Sequence, residues 1–293
     1  MKEFDNLNNK YLENLKEDGV LILPNFVPQE SIQTIRKDAF NWHKNINFNN
    51  RLSSFILGNN QWIEHVGLCS LTALKLAMNS SLIKFLCSYF ESPPIIGSIS
   101  IQKKVFAEKE LPLHSDMGNG LAMFVYLTDA AEKSGATEFV RKSHNSEISQ
   151  ESKIIRKNND AVYIDINKTS FSSSDIIKTR GGPGTVAIFH RGIWHKVPKF
   201  SIPGREVLII QYFESQSPSK DHLIKKSFLN ALSEEEKGIL FNQLSCASSP
   251  SLLELGNDPN ALGVYNIPQW KMILYYLRYK LFSKAKPRSQ FNN

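Results

Sequence analysis

A histidine and an aspartate stand two positions apart in LPLHSDMGNG, His114 and Asp116, at the end of an apolar stretch and just before a glycine-containing turn. On a strand, side chains at i and i+2 leave the same face, so an imidazole nitrogen and a carboxylate oxygen would project into one space. Together they offer two neighbouring sites on a divalent metal, and a third ligand has to come from elsewhere in the chain. Of the seven histidines, His43 and His65 fall in a helical region, His222 lies beyond the strand-rich region and His144 sits in the polar loop RKSHN. His190 and His195 remain, both in GTVAIFHRGIWHKVP, where TVAIF reads as a strand entering a turn at Gly192. His195, at the end of that turn, is the better third ligand. His190 is its rival, as a ligand or as a partner behind the ligands, depending on strand register. Arg205, ten positions after His195, opens the strand REVLIIQYF and can look into the same cavity.

Two histidines and one carboxylate on one face of iron(II) leave the opposite positions open, enough for a bidentate 2-oxo acid and dioxygen. A nearby guanidinium would hold the far carboxylate of such an acid through two parallel hydrogen bonds. Taken singly, each residue has an ordinary explanation. A strand-end aspartate often caps a turn, His195 alone would be a turn histidine with a satisfied ring, and Arg205 alone would pair on the surface with Glu206 or Glu214. The conjunction of all four in strand context points to a metal centre. Trp62 and Trp194 read as core aromatics.

The elements that must position these residues fall into three parts. Residues 6–17 carry apolar side chains at helical spacing (Leu7, Tyr11, Leu12, Leu15), and EDG ends that helix ahead of the strand VLILP. PQESIQTIRKDAFNWH predicts a second helix, and residues 67–91 one or two more, closed by Pro93 and Pro94. From Gly97 the texture changes to short β-branched and aromatic runs: SISIQKKVF, GLAMFVYLTD, ATEFV, AVYIDI, GTVAIFH and REVLIIQYF. Short strands without long helices between them predict a mainly β (α+β) fold with a jelly-roll core rather than a parallel doubly wound sheet. Within it, SEISQESKIIRKNNDAVY and INKTSFSSSDIIKT read as polar surface insertions. LSEEEKGILFNQL after the core is a helix with Ser233 and Glu236 in a capping box. The tail NIPQWKMILYYLRYKLFSKAKPR reads as a basic amphipathic helix, packed on the core or touching a membrane surface or anionic substrate. The expected organisation is one catalytic domain over 1–293: a helical buttress at 1–96, the jelly-roll core at 97–213 and a helical extension at 214–293.

Bulk properties exclude several other classes. The 293 residues suffice for a sizeable core, and 41% hydrophobic with 22% charged residues is ordinary globular composition. The net charge of +7, from 35 basic and 28 acidic residues, favours anionic partners, but no basic block of the kind that binds nucleic acid is present. Cys69, Cys87 and Cys246 form no CxxC pair, which argues against a disulfide framework and a thiolate zinc site. The polar N-terminus and the lack of a long apolar stretch predict a cytoplasmic protein without a transmembrane segment.

The order His114, Asp116, His195, Arg205 resembles the iron(II)/2-oxoglutarate dioxygenases of the phytanoyl-CoA dioxygenase type. YLENLKEDGVLILPNFVPQESIQTIR is similar to that family's N-terminal helix, strand and helix, and VYLTDAAEKSGATEFVRKSHN to its segment after the metal strand. Arg141 and Lys142 stand where the family carries Pro-Gly, and Lys196 and Val197 where it has a small polar residue. The resemblance implies a double-stranded β-helix holding iron at one end through His114, Asp116 and His195. It implies 2-oxoglutarate as co-substrate with Arg205 on its distal carboxylate, and dioxygen as oxidant. Gln102 and Lys104 on the preceding strand become candidates for contacts to 2-oxoglutarate or substrate, and Phe124 for the co-substrate wall. The implied reaction is hydroxylation, or other oxidation, of an unactivated C–H bond in a small-molecule or carrier-bound metabolite of secondary metabolism, releasing succinate and carbon dioxide. Asp116 favours oxygenation, because related halogenases carry a small residue there. The alternatives are a non-catalytic metal-containing jelly-roll binding module and a cupin-type metalloenzyme that does not use 2-oxoglutarate. Arg205 disfavours the second.

Overall fold

In the computed structural model the described residues are 3–44, 54–57, 60–63, 66–104, 111–116, 119–145, 154–157, 161–164, 171–199, 205–214, 222–245, 252–254 and 261–264. The chain begins with α1 (Asn9–Asp18), whose ends are chemically marked. The Asn8 side chain accepts the Tyr11 N–H, and Gly19, left-handed at φ 76°, donates its N–H to the Leu15 carbonyl. Then follow β1 (Val20–Leu23), α2 (Gln29–Lys44), the hairpin β2 (Ser54–Leu57) and β3 (Asn60–Ile63), α3 (Leu71–Ala77) and α4 (Ser80–Phe90). The strand-rich region runs through β4 (Pro94–Lys104), β5 (Leu111–Asp116), β6 (Leu121–Tyr126), β7 (Glu138–Val140), β8 (Ile154–Lys157), β9 (Ala161–Ile164), β10 (Ile176–Lys178), β11 (Val186–His190), β12 (His195–Val197) and β13 (Arg205–Glu214). β14 (His222–Lys225), α5 (Glu234–Ser245), β15 (Leu252–Glu254) and β16 (Ala261–Val264) complete the described elements.

Two antiparallel sheets form the core. One has the order β1-β11-β6-β13-β4-β3-β2, the other β10-β7-β12-β5-β9-β8. The larger sheet is sorted by strand parity. On β6 and β13, Leu121, Met123, Val125, Leu208, Ile210 and Tyr212 join the cluster built with Leu15, Ile32, Ile35, Leu74 and Leu82 of α1–α4. The alternate residues Ala122, Tyr126, Val207 and Ile209 pack with Phe139 of the second sheet. Glu206 keeps this parity and turns toward the helices, where its carboxylate meets Arg36 Nε at 2.6 Å and Lys103 Nζ at 2.7 Å. It therefore does not pair with Arg205, its neighbour on the opposite face.

The jelly roll agrees with the sequence-based expectation, and α5 carries the reciprocal capping box: Glu236 N–H donates to Ser233 Oγ at 3.1 Å, and Ser233 N–H to Glu236 Oε2 at 2.7 Å. Three details differ. The N-terminal third adds β2 and β3 to the expected strand β1 and helices, and all three strands join the larger sheet, because an apolar strand beside an open edge finds its backbone partners there. The two polar insertions contribute β8, which pairs with β9, and β10, which pairs with β7. Beyond residue 213 the chain adds a small sheet β14-β16-β15 to the expected helix. The basic tail helix and Cys246 lie outside the described residues. Among those described, no helix is long and apolar enough to cross a membrane.

Candidate metal centre

His114 and His195 are opposite one another in the antiparallel pairing of β5 with β12, and their ring centroids are 4.1 Å apart. Asp116, two residues along β5, shares their face. The ligand-capable atoms of His114, Asp116 and His195 all lie within 4.8 Å of one another. The third candidate ligand, His195, opens β12, a three-residue strand that follows directly on the turn expected from sequence.

Each imidazole is oriented by the carbonyl two residues before it in the chain. His114 Nδ1 lies 2.9 Å from the Pro112 carbonyl and His195 Nδ1 3.0 Å from that of Ile193. A carbonyl only accepts, so each Nδ1 carries its hydrogen and Nε2 is the ring nitrogen left for a metal. Burial, then the adjacent His195 and Lys104, hold His114 well below the ordinary histidine range, against the raising effect of the Pro112 carbonyl. His114 is therefore neutral at physiological pH and competent to ligate. Tyr163 of β9, its other cross-strand partner, stacks on its ring at 5.1 Å.

A second set of groups lies on the inner face of the larger sheet. Arg205 is 2% exposed, yet its Nη1 donates to Gln102 Oε1 at 3.1 Å and its Nη2 to Thr137 Oγ1 at 3.2 Å, both neutral acceptors. The guanidinium also lies 5.8 Å from the Tyr126 ring, and the Tyr126 hydroxyl accepts the Thr137 N–H at 3.0 Å. Arg205 Nε has no hydrogen-bond partner, and among the described residues no carboxylate reaches Arg205. Lys104, directly opposite Arg205 in the β4–β13 register, is likewise buried with no carboxylate partner among the described residues. Burial and then the Arg205 charge pull its ammonium down to about 7. Two buried cations without a counter-anion are costly unless an anion arrives with a ligand. Two imidazoles and a carboxylate form a donor set suited to iron(II), and the cations beside them suit a dicarboxylate such as 2-oxoglutarate.

The structure thus brings His114, Asp116 and His195 into one cluster and sets Gln102, Lys104 and Arg205 together nearby. Phe124 is half-buried, edge-on to Phe189 at 4.8 Å. His190 lies outside this cluster: its Nδ1 accepts the Gly192 N–H at 3.0 Å, and its ring lies 5.3 Å from that of His144. Trp194 packs with Leu113, Val140 and Ile164, and Trp62 packs against the inter-sheet core. Lys196 leaves β12 on the face opposite His195 and lies 3.7 Å from Glu138. Thr137, Tyr126 and Tyr163 escaped the sequence reading. ATEFV shows only a strand, and the cross-strand register that delivers these side chains to the site is not written locally.

No protein-family model matches the sequence, and no curated protein matches it. Solved structures do. The epimerase SnoN, in complex with Fe3+, α-ketoglutarate and a nogalamycin compound, superposes with a TM-score of 0.56 at 14% identity, covering 72% of this chain and 85% of its own. The non-haem α-ketoglutarate-dependent carbocyclase SnoK from nogalamycin biosynthesis gives 0.54 at 13% identity over 89% and 98%. HygX from Streptomyces hygroscopicus, with nickel, 2-oxoglutarate and hygromycin B bound, gives 0.55 at 12% identity over 73% and 90%. At these identities the likeness speaks to architecture, and the chain has the cupin-like jelly-roll core that these non-haem 2-oxoglutarate-dependent enzymes share.

Proposed function

We propose that this chain is an iron(II)- and 2-oxoglutarate-dependent oxygenase that hydroxylates a C–H bond of a small-molecule metabolite. The observation that carries the reading is the pairing of a His-Asp-His cluster with a buried guanidinium that has no carboxylate partner among the described residues. When bound, iron(II) with 2-oxoglutarate and dioxygen supplies the oxidising power, leaving succinate and carbon dioxide. His114 and His195 would hold the metal through Nε2 while their Nδ1–H groups donate to the Pro112 and Ile193 carbonyls, and Asp116 would supply the single negative charge. Arg205 pairs with the distal carboxylate of the co-substrate. Gln102 and Thr137 fix the plane of its guanidinium, and Lys104 adds a second positive charge to the same space. Phe124 gives that space an apolar wall. A carboxylate at position 116 completes the ligand face, and this favours oxygen transfer to carbon over delivery of an exogenous anion. The neighbours named above are enzymes or complexes of small natural products, and a metabolite of that class is the proposed substrate.

The test is uncoupled turnover, followed as succinate formed from 2-oxoglutarate with iron(II) in air. Truncating one partner of a buried charge pair costs about 2–5 kcal/mol. Arg205→Ala should therefore raise the KM for 2-oxoglutarate by at least about thirtyfold, with iron binding retained. An unchanged KM would refute the assignment of Arg205, and no succinate from the wild type under any metal loading would refute the oxygenase reading.

A further inference from the structure

The three candidate ligands are not held in the same way. His114 and His195 face each other as a cross-strand pair, and each is pinned by the carbonyl two residues before it, Pro112 in β5 and Ile193 in the turn ahead of β12. Asp116 is the last residue of β5, and among the described residues nothing hydrogen-bonds its carboxylate. Its placement depends on where the backbone of the strand end is held. β12 begins at His195, so regular pairing with β5 stops at the His114–His195 pair; upstream the chain is a turn, closed by Ile193 N–H to the His190 carbonyl at 2.9 Å. Two bonds cross from the strand end to that turn. Asp116 N–H donates to the Arg191 carbonyl at 3.0 Å, and the Ser115 hydroxyl donates to the Gly192 carbonyl at 2.9 Å.

Ser115 stands between two ligands in sequence, but strand alternation sends its side chain to the other face, so it is not itself a ligand. Its hydroxyl joins the strand end bearing Asp116 to the turn leading into His195. We propose that Ser115 is a positioning residue of the metal centre: by fixing the end of β5 against the 190–193 turn, it sets where the Asp116 carboxylate stands relative to the two imidazoles. The inference rests on the reading of His114, Asp116 and His195 as metal ligands. Groups behind a ligand shell commonly control metal affinity as strongly as this role requires.

The probe is Co(II) alone, titrated into metal-free protein and followed by its visible absorption. Ser115→Ala should bind about tenfold more weakly, with an altered absorption envelope because one ligand has moved. Ser115→Thr, which keeps the hydroxyl, should restore both affinity and spectrum. Thermal unfolding of the metal-free proteins separates this from a general loss of stability, which would not change the spectrum of the bound ion. Should Ser115→Ala not fold, Ser115→Cys, close in size and only a weak donor, carries the same comparison and should fall between wild type and alanine. Wild-type affinity and spectrum in Ser115→Ala would overturn the positioning role and leave the metal centre standing. Failure of the wild type to bind Co(II) would overturn the metal centre itself.

Discussion

Lys104 and Arg205 show at the level of single residues why the site asks for an anion. They are opposite one another on β4 and β13, both buried, and Arg205 bonds the neutral acceptors of Gln102 and Thr137. The Lys104 ammonium, pulled down to about 7 by burial and by Arg205, is charged below that pH and increasingly neutral above it. A dianionic co-substrate is attracted by the charged form, so 2-oxoglutarate binding to the Mn(II)-loaded protein should be tighter below about pH 7 and weaken as the pH rises through it. Lys104→Met should flatten that slope. Calorimetric titration across neutral pH decides the matter, and an equal slope in wild type and Lys104→Met would remove Lys104 from the co-substrate site.

Alternation along β13 does the work at the level of elements. Arg205, Val207 and Ile209 turn inward toward the second sheet, whereas Glu206, Leu208 and Ile210 turn to the helices. Glu206, 2% exposed, therefore joins α2 to the sheet through Arg36 while holding Lys103 of β4. Its two partners are only part-buried and can rehydrate, so Glu206→Gln should cost about 1–3 kcal/mol. Urea unfolding should show a lower midpoint at unchanged slope, with Co(II) binding unaffected; a loss of metal affinity equal to that of a ligand variant would contradict this separation of faces. The same alternation made much of the site legible in sequence. HxD needs only strand parity to be read as two ligands on one face, and TVAIF and REVLIIQYF are continuous apolar runs that announce buried strands. The helix ends were equally readable, because Gly19 and the Ser233–Glu236 box act over a few residues.

At the scale of the whole molecule, what the sequence concealed is pairing between distant segments. IIRK and IIK look like solvent-facing fragments until β9 and β7 provide edges for them, and VLIL gives no sign that it will close the larger sheet against β11. Thr137 reaches Arg205 across 68 residues of sequence, and Tyr163 reaches His114 only through the β5–β9 register. The ambiguity between His190 and His195 was of this kind: both follow the same apolar strand, and only the β12–β5 pairing selects His195. The resulting assembly holds a cluster of three candidate metal ligands from one sheet beside a cationic pair from the other. Its central claim is tested most directly without oxygen. Iron(II) and then 2-oxoglutarate, added anaerobically to metal-free protein, should produce the visible charge-transfer band of a 2-oxo acid chelated to iron(II), and His195→Ala should lack it. A wild-type protein that binds iron(II) but shows no such band on saturation with 2-oxoglutarate would contradict the account.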